Sequence, residues 1–225
     1  MEGSGLVSGG CNEVQSAVLV VDDHPVFCAA MSMVVGAADG TAEVVQVSDL
    51  AAAETAMRDR GFNLVLLDLT LPDVQGMSGL LLLRQIQPDT PLAVVSGREE
   101  PRLMRQAMEC GACGYIPKST AVDIMVAAVK ALLIGGQWFP QGTFVTEMTV
   151  EEKELAARFA ELSVAQIRVL RAIVDGRLNK QIAHDLGIAE ATVKSHLQTI
   201  FRKLGVANRV QAIIALNTFG FPADD

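Results

Sequence analysis

The sequence predicts an α/β domain with a doubly wound parallel sheet, followed by a smaller all-α domain of four helices. Up to about residue 135, short apolar runs alternate with stretches of helical periodicity, whereas only helical periods remain after residue 161. The charge also changes sign, because residues 1–161 carry −11 and residues 162–216 carry +5 within a total of −8. We therefore expect two domains with different partners, and nucleic acid suits only the basic one.

Five short apolar runs predict the strands of the first domain. They lie at residues 17–21, 43–47, 64–67, 92–95 and 114–116. Strands that are apolar almost throughout are typical of a parallel sheet with helices on both faces. The crossover connections between such strands are expected to be right-handed.

Helical periods follow each strand, which gives a (βα)5 order. They lie at residues 25–35, 49–60, 78–86, 99–109 and 120–133. Pro25 suits a first helical turn, because the N–H that proline lacks has no partner there. We expect Ser48, Ser78 and Ser119 to cap the second, third and fifth helices.

Segments rich in glycine divide the chain. We predict a flexible leader at 1–15, the α/β domain at 16–136, a linker at 137–160, the helical domain at 161–220 and a tail at 221–225. Within the linker, residues 149–160 could form a helix. The leader lacks the basic and apolar regions of a secretory signal. No apolar run reaches the ~18 residues of a membrane span, so we expect a cytoplasmic protein with no membrane partner.

Four helices are predicted in the basic part. They lie at residues 163–175, 180–186, 190–204 and 208–217, with Ser163 and Asn208 as caps. The second and third are joined by a tight turn at Gly187, which is typical of a helix-turn-helix.

The spacing of the cysteines gives little support for a zinc or redox site. Cys110 and Cys113 have the CxxC spacing of a zinc or redox pair, but no second CxxC supplies further ligands. We interpret them mainly as small buried thiols.

Acidic residues follow two of the predicted strands: Asp22 and Asp23 after the first, Asp68 after the third. Ligands bind at the carboxyl ends of such strands, where these carboxylates would converge and repel one another. Mg²⁺ would relieve that repulsion. Ser96 and Lys118 follow the fourth and fifth strands at the same edge. Each residue alone could be a solvated loop side chain, but together they predict a phosphoryl-transfer pocket with Asp68 as the nucleophile.

Four segments around these residues resemble the receiver domain of two-component response regulators. They read VVDDHP at 20–25, LLDLTLPD at 66–73, VVSG at 94–97 and GYIPK at 114–118. The resemblance covers about residues 16–136 and implies a flavodoxin-like fold with Asp68 as phosphoacceptor. It implies Mg²⁺ bound by Asp22 (through water), Asp23, Asp68 and the main-chain carbonyl of Thr70. It also implies Ser96 as the switch hydroxyl, Tyr115 as the aromatic that rotates with it, and Lys118 as a phosphoryl contact.

The third helix of the basic part has two different sides. Val193, Leu197, Ile200 and Leu204 form an apolar stripe. Polar side chains, including Lys194 and Gln198, lie on the other side, which suits a major groove, although a solvated surface helix is an alternative.

The basic part resembles the LuxR-type helix-turn-helix, and the whole chain resembles a NarL/FixJ-family response regulator. The matching segments include NKQIA at 179–183, TVKSH at 192–196 and IFRKLGV at 200–206, although Gln181 stands where glutamate is usual. The resemblance implies base contacts from Lys194, Ser195 and Gln198. It implies phosphate contacts from Asn179, Lys180, Thr192, Arg202 and Lys203, and a dimer contact through Val210, Ile213 and Ile214.

The prediction is a transcriptional regulator that is phosphorylated on Asp68 by a sensor histidine kinase with Mg²⁺. Phosphorylation would switch its homodimerisation and its binding to double-stranded promoter DNA. The alternative is a protein-interaction module that works without phosphorylation and carries a DNA-binding tail. We expect no enzyme activity beyond the self-phosphorylation and dephosphorylation of a receiver. A ligand-sensing LuxR regulator is disfavoured by the scarcity of aromatic residues, and a haloacid-dehalogenase-type phosphatase by Thr70 at the position of a second aspartate.

Overall fold

Five strands alternate with five helices in the first part of the chain. A computed structural model describes residues 15–72, 76–141 and 149–218, so most of the predicted leader and all of the tail lie outside the described residues. The elements are β1 (Ala17–Val21), α1 (Pro25–Ala38), β2 (Glu43–Val47), α2 (Leu50–Asp59), β3 (Leu64–Leu67), α3 (Ser78–Ile86), β4 (Leu92–Ser96), α4 (Pro101–Glu109), β5 (Gly114–Pro117) and α5 (Val122–Leu133).

The five strands form one parallel sheet in the order β2-β1-β3-β4-β5. Helices α1 and α5 cover one face, where Met31 and Val129 are buried. Helices α2, α3 and α4 cover the other face, where Leu80 and Leu103 are buried. The predicted doubly wound sheet is therefore confirmed. Because the strand order reverses beside β1, the loops after β1 and β3 border the crevice in which such folds bind ligands.

Three predicted helix caps are wrong. Asp49, not Ser48, caps α2, and its side chain accepts a hydrogen bond from the Ala52 N–H at 2.8 Å. Ser78 is the first residue of α3 rather than its cap, and the hydroxyl of Ser119 donates to Glu99 Oε1 at 2.5 Å instead of capping α5. Met77 and Ala121 occupy the N-cap positions of α3 and α5, and neither makes a side-chain cap hydrogen bond.

The second part of the chain is helical throughout. Its elements are α6 (Val150–Ala160), α7 (Val164–Val174), α8 (Asn179–Asp185), α9 (Glu190–Leu204) and α10 (Arg209–Thr218). Ser163 and Asn208 cap α7 and α10 as predicted. Helix α6 lies within the stretch predicted as a linker and buries Phe159. Among the described residues, none of the helices combines the length and apolar character needed to cross a bilayer.

The two parts of the chain are packed against each other. Leu81 of α3 lines a small cavity together with Phe159, Leu162 and Leu170 of the helical part. Around this apolar contact, Arg102 of α4 pairs with Glu152 of α6 at 2.9 Å. The buried apolar residues beneath α2, α3 and α4 thus continue into those of the helical part.

Candidate functional site

The predicted acidic residues meet where β1 and β3 end. Val21 and Leu67 are partners in the sheet register, so the residues that follow them, Asp22 and Asp68, lie side by side. The Asp68 N–H donates to the carbonyl of Val21 at 2.9 Å, which keeps the two chains paired up to the site. Asp22 and Asp68 are 3% and 1% exposed, so the sheet holds two carboxylates almost out of water.

Lys118 supplies the positive charge of this pocket. Its Nζ lies 2.6 Å from Asp22 Oδ2 and 2.8 Å from Asp68 Oδ2. Burial by itself lowers the pKa of Lys118, but the hydrogen bonds and charges of the two aspartates outweigh it, so the pKa is raised. The ammonium also lies 4.6 Å from the ring centroid of Phe27, a contact that no sequence motif indicates.

Thr70 contacts the Asp68 carboxylate twice. Its hydroxyl donates to Asp68 Oδ2 at 2.7 Å and its N–H donates to Asp68 Oδ1 at 3.0 Å. Both oxygens of Asp68 therefore face hydrogen-bond donors that fix the direction of the side chain. The role of the Thr70 carbonyl as a metal ligand stays a prediction.

The donor set of the pocket fits a hard divalent cation. Ligand atoms of Asp22, Asp23, His24 and Asp68 all lie within 4.8 Å of one another. Asp23 Oδ1 is buried and accepts no well-aligned hydrogen bond from any described residue, and the buried Asp22 Oδ2 has only the Lys118 ammonium beside it in the described part of the chain. Three carboxylates beside one ammonium leave excess negative charge, which Mg²⁺ bound through oxygen ligands would neutralise. His24 belongs to this cluster although the sequence motifs did not single it out.

Ser96 and Tyr115 are buried beside the pocket and share a contact with one loop residue. The Ser96 Oγ accepts the N–H of Arg98 at 3.2 Å, and the Tyr115 hydroxyl donates to the Arg98 carbonyl at 2.5 Å. Burial raises the pKa of Tyr115 to about 12. Both predicted switch residues are thus tied to the main chain of Arg98, a residue that no motif in the sequence indicates.

A groove gives access to this edge of the sheet. It has a volume of about 530 Å³ and is lined by Phe27 and Ala30 on one side and by Gly97 and Arg98 on the other, with Lys118 between them. A phosphate donor could approach the pocket along it.

The cysteines do not form a reactive pair. Burial raises the pKa of Cys110 to about 12 and that of Cys113 to about 11. Both thiols therefore stay protonated and uncharged at neutral pH, and they pack in the protein as small apolar side chains.

Most of the predicted nucleic-acid contacts are exposed side chains of α8 and α9. The buried side of α9 consists of Val193, Leu197, Ile200 and Leu204. Asn179, at the start of α8, is half-buried, and the other predicted contacts apart from Lys203 are exposed: Lys180, Thr192, Lys194, Ser195, Gln198 and Arg202. We call these seven residues the recognition surface. Lys194 pairs along its helix with Glu190 at 2.9 Å.

Lys203 is placed differently from the rest of its predicted group. Its ammonium donates to the Glu161 carbonyl at 2.6 Å and to Gln166 Oε1 at 3.0 Å, so it bridges elements inside the helical part. The structure does not bring Lys203 onto the recognition surface. Gln166 also accepts the Ser163 N–H, so a neutral amide performs the cap contact at the start of α7.

The predicted dimer residues lie on α10. Val210 and Ile214 are 64% and 58% exposed, whereas Ile213 is half-buried. Ala212 and Leu216, on the other side of the helix, are buried. Helix α10 therefore presents an apolar side to solvent.

Both parts of the chain match known families. Residues 18–130 match the family described as "Response regulator receiver domain", and residues 160–216 match "Bacterial regulatory proteins, luxR family". The glycerol metabolism activator of Pseudomonas putida is 37% identical over 215 residues, which cover 92% of this chain and 97% of that protein. The transcriptional regulatory protein YdfI of Bacillus subtilis is 30% identical over 200 residues, which cover 87% of this chain and 92% of that protein.

A solved structure resembles the chain over most of its length. RcsB of Salmonella enterica serovar Typhimurium, solved bound to a promoter in the presence of phosphomimetic BeF3⁻, covers 90% of this chain and 98% of its own. Its TM-score is 0.53 and its sequence identity is 21%, so the likeness concerns the fold alone.

Proposed function

The chain belongs to the NarL/FixJ-type response regulators, with a receiver domain followed by a LuxR-type domain, and from this we propose that phosphorylation of Asp68 controls its binding to promoter DNA. One observation above all supports the proposal. Asp22, Asp68 and Lys118 form a buried charge cluster at the carboxyl ends of the strands, where the carboxylates outnumber the cations among the described residues.

Asp68 is the nucleophile in this proposal. An oxygen of its carboxylate attacks the phosphorus of a phosphohistidine on a sensor kinase, the P–N bond breaks, and the imidazole leaves with the electron pair. Mg²⁺ held by Asp22, Asp23, Asp68 and the Thr70 carbonyl would neutralise charge on the phosphoryl group. Lys118 and the Thr70 hydroxyl, which already donate to Asp68, orient the nucleophile and are placed to contact the phosphoryl oxygens.

The switch runs through Ser96 and Tyr115. The phosphoryl group adds about −1.5 to −2 charges at Asp68, which attracts the hydroxyl of Ser96. Since Ser96 and Tyr115 both contact Arg98, movement of Ser96 disturbs the contact that holds the tyrosine inside. A shift from about 1% to 99% active needs about 5.5 kcal/mol, which phosphorylation and dimerisation on DNA would share.

DNA binding is assigned to the recognition surface, with a homodimer formed through α10. The exposed Val210 and Ile214 would meet the same residues of a second copy. Two copies would then read paired half-sites, and binding would weaken strongly with salt.

The acceptor is tested with acetyl phosphate and Mg²⁺. We expect wild-type protein to incorporate one phosphoryl group and Asp68→Asn to incorporate none, as measured by intact mass at neutral pH. Asp123→Asn, an exposed carboxylate in α5, is the matched control and should label like the wild type. Equal labelling of the wild type and Asp68→Asn would refute the assignment.

One observation favours the alternative, a protein-interaction module that works without phosphorylation and carries a DNA-binding tail. The recognition surface is exposed while the two parts of the chain are packed together, so the receiver does not cover it. Gel shifts decide between the two: phosphorylation-controlled binding requires that acetyl phosphate tighten DNA binding in the wild type and not in Asp68→Asn. Equal DNA affinity of the wild type and Asp68→Asn, each with and without acetyl phosphate, would support the alternative.

A further inference from the structure

The imidazole of His24 lies against the acidic pocket. Its Nδ1 is 2.8 Å from Asp23 Oδ1 and 3.1 Å from Asp22 Oδ1. We propose that His24 gives the pocket a second metal-binding mode, in which His24 Nδ1 and the Asp23 carboxylate hold a transition-metal ion such as Ni²⁺ more tightly than Mg²⁺. The inference rests on the magnesium site proposed above and concerns which ions that site selects.

The contact between His24 and Asp23 is not an ordinary hydrogen bond. Asp23 Oδ1 is buried and accepts no well-aligned hydrogen bond from any described residue, although the ring nitrogen is only 2.8 Å away. His24 Nδ1 also lies within hydrogen-bond distance of Asp22 Oδ1, at 3.1 Å, so an ion that binds here would take the place of the proton between these two atoms. Asp22 is 3% exposed, and its Oδ2 has only the Lys118 ammonium, at 2.6 Å, to offset its charge in the described part of the chain. Such an arrangement suits donor atoms that share one cation.

The distances fit neighbouring ligands of an octahedral ion. Metal–nitrogen and metal–oxygen bonds of about 2.1 Å at right angles place the two donor atoms about 3.0 Å apart. Tetrahedral angles would place them about 3.4 Å apart at the same bond length. The 2.8 Å between His24 Nδ1 and Asp23 Oδ1 lies nearer the octahedral value, so an octahedral ion could bind both atoms with little movement of the side chains.

The selectivity follows from the nitrogen donor. Mg²⁺ prefers oxygen ligands and keeps several waters, whereas imidazole suits nickel, copper and zinc. An all-carboxylate pocket would discriminate less between these ions. Replacing one oxygen by the His24 nitrogen therefore raises affinity for the transition metal and leaves affinity for Mg²⁺ almost unchanged.

The main chain holds His24 in the required position. His24 precedes Pro25, which disfavours a helical conformation, and it adopts φ −96° and ψ 103°. Its N–H donates to Asp22 Oδ1 at 2.9 Å. Because the backbone is fixed from both sides, binding the ion orders little besides the ring.

The experiment is a calorimetric titration of the full-length, tag-free protein, freed of metal, with Ni²⁺ and separately with Mg²⁺. We expect wild-type protein to bind Ni²⁺ at least tenfold more tightly than Mg²⁺. His24→Ala should weaken Ni²⁺ binding at least tenfold and change Mg²⁺ binding less than twofold. His184→Ala, which removes an exposed histidine of α8, is the matched control and should change neither.

Each other outcome overturns a stated part of the proposal. Unchanged Ni²⁺ affinity in His24→Ala would mean that the ion binds elsewhere. An equal loss for both ions would mean that His24 only orients the carboxylates, and this too would overturn the nitrogen-ligand assignment. Asp23→Asn separates this inference from the proposed function, since it should weaken Mg²⁺ binding. If it does not, the magnesium site itself is misassigned, whatever His24 does.

Discussion

Glu54 of α2 and Arg168 of α7 form an ion pair between the two parts of the chain, although 114 residues separate them in sequence. The Glu54 side chain is 10% exposed, and Arg58 approaches it at 3.7 Å from the next turn of its own helix. The pair therefore links α2 of the receiver to α7 of the helical part, which also contacts α3.

Reversing one charge of this pair should loosen the packing of the two parts. We expect Arg168→Glu to raise the radius of gyration in small-angle X-ray scattering, because two carboxylates would then face each other. The double variant Glu54→Arg, Arg168→Glu should restore compactness, with a coupling free energy of about 1 kcal/mol in urea unfolding. Lys130→Glu, on exposed α5 surface, is the control for charge reversal. Scattering that is unchanged in Arg168→Glu would show that the pair does not hold the parts together.

Tyr115 is the only tyrosine of the chain, so its ionisation can be followed directly by tyrosinate absorbance. Burial raises its pKa to about 12, against about 10 for an exposed tyrosine. The folded protein therefore keeps the stability of the buried neutral ring below pH ~10 and loses it as the pH rises towards 12, because the unfolded chain ionises first. At neutral pH, where Mg²⁺ stays dissolved, adding Mg²⁺ and a phosphate mimic should speed the chemical nitration of Tyr115 if the ring leaves its pocket. An unchanged rate of nitration would contradict the switch role of Tyr115.

Lys118 stabilises the receiver by neutralising two buried carboxylates. We expect Lys118→Met to lower the free energy of unfolding by about 2–3 kcal/mol in a chelating buffer, because Asp22 and Asp68 would then lack a cation. Added Mg²⁺ should recover most of this loss in the variant and much less in the wild type. Lys130→Met, with an exposed ammonium, should behave like the wild type. A loss that Mg²⁺ fails to recover would argue against a cation bound by these carboxylates.

Two residues of the recognition surface should affect DNA binding in different ways. Lys180→Ala is expected to weaken binding to all sequences and to reduce the slope of log affinity against log salt by about one. Gln198→Ala is expected to cost about 1–3 kcal/mol on the specific site and little on unrelated DNA. Fluorescence anisotropy at several salt concentrations measures both effects. Identical behaviour of the two variants would refute the division into phosphate and base contacts.

Gly205 and Gly36 should respond oppositely to the same substitution. Gly205 ends α9 with φ +71°, and a Cβ there would lie 2.7 Å from Arg158 Nη1, so Gly205→Ala should lower stability by about 1–2 kcal/mol. Gly36 lies exposed in α1, and a Cβ there would meet nothing within 4 Å. Gly36→Ala should raise stability by about 0.5–1 kcal/mol. Urea unfolding measures the free energy of unfolding of both variants. A Gly205→Ala variant more stable than the wild type would show that the left-handed backbone conformation is not required there.

The amino-acid sequence is sufficient to predict the strands and the placement of the acidic pocket. Apolar runs mark strands that are buried on both faces, and polar residues directly after them must meet at one edge of a parallel sheet. This is why the order of residues along the chain already indicates that Asp22, Asp68 and Lys118 lie together. The same reasoning cannot find Arg98 or Phe27, because their roles depend on a main-chain carbonyl and on a ring position that no motif encodes.

Contacts between distant elements were beyond prediction from the sequence. The period of α7 shows that Ile167 and Leu170 are buried, but not that Leu81 of the receiver is among their neighbours. Lys203 is a similar case. The resemblance to the LuxR-type helix-turn-helix implies that Lys203 contacts DNA phosphate, whereas Gln166 and the Glu161 carbonyl give it partners inside the protein.

The apolar contact around Leu81 and Phe159 would be lost if the receiver and the helical part were produced as separate fragments. Cleavage after Gln141 would leave two fragments, and each would expose the apolar surface that it buries against the other in the intact chain. We expect each fragment alone to aggregate through this surface, and we expect the two fragments to reassociate when they are mixed. The two domains that the sequence predicts as separate units therefore share one continuous set of buried apolar residues.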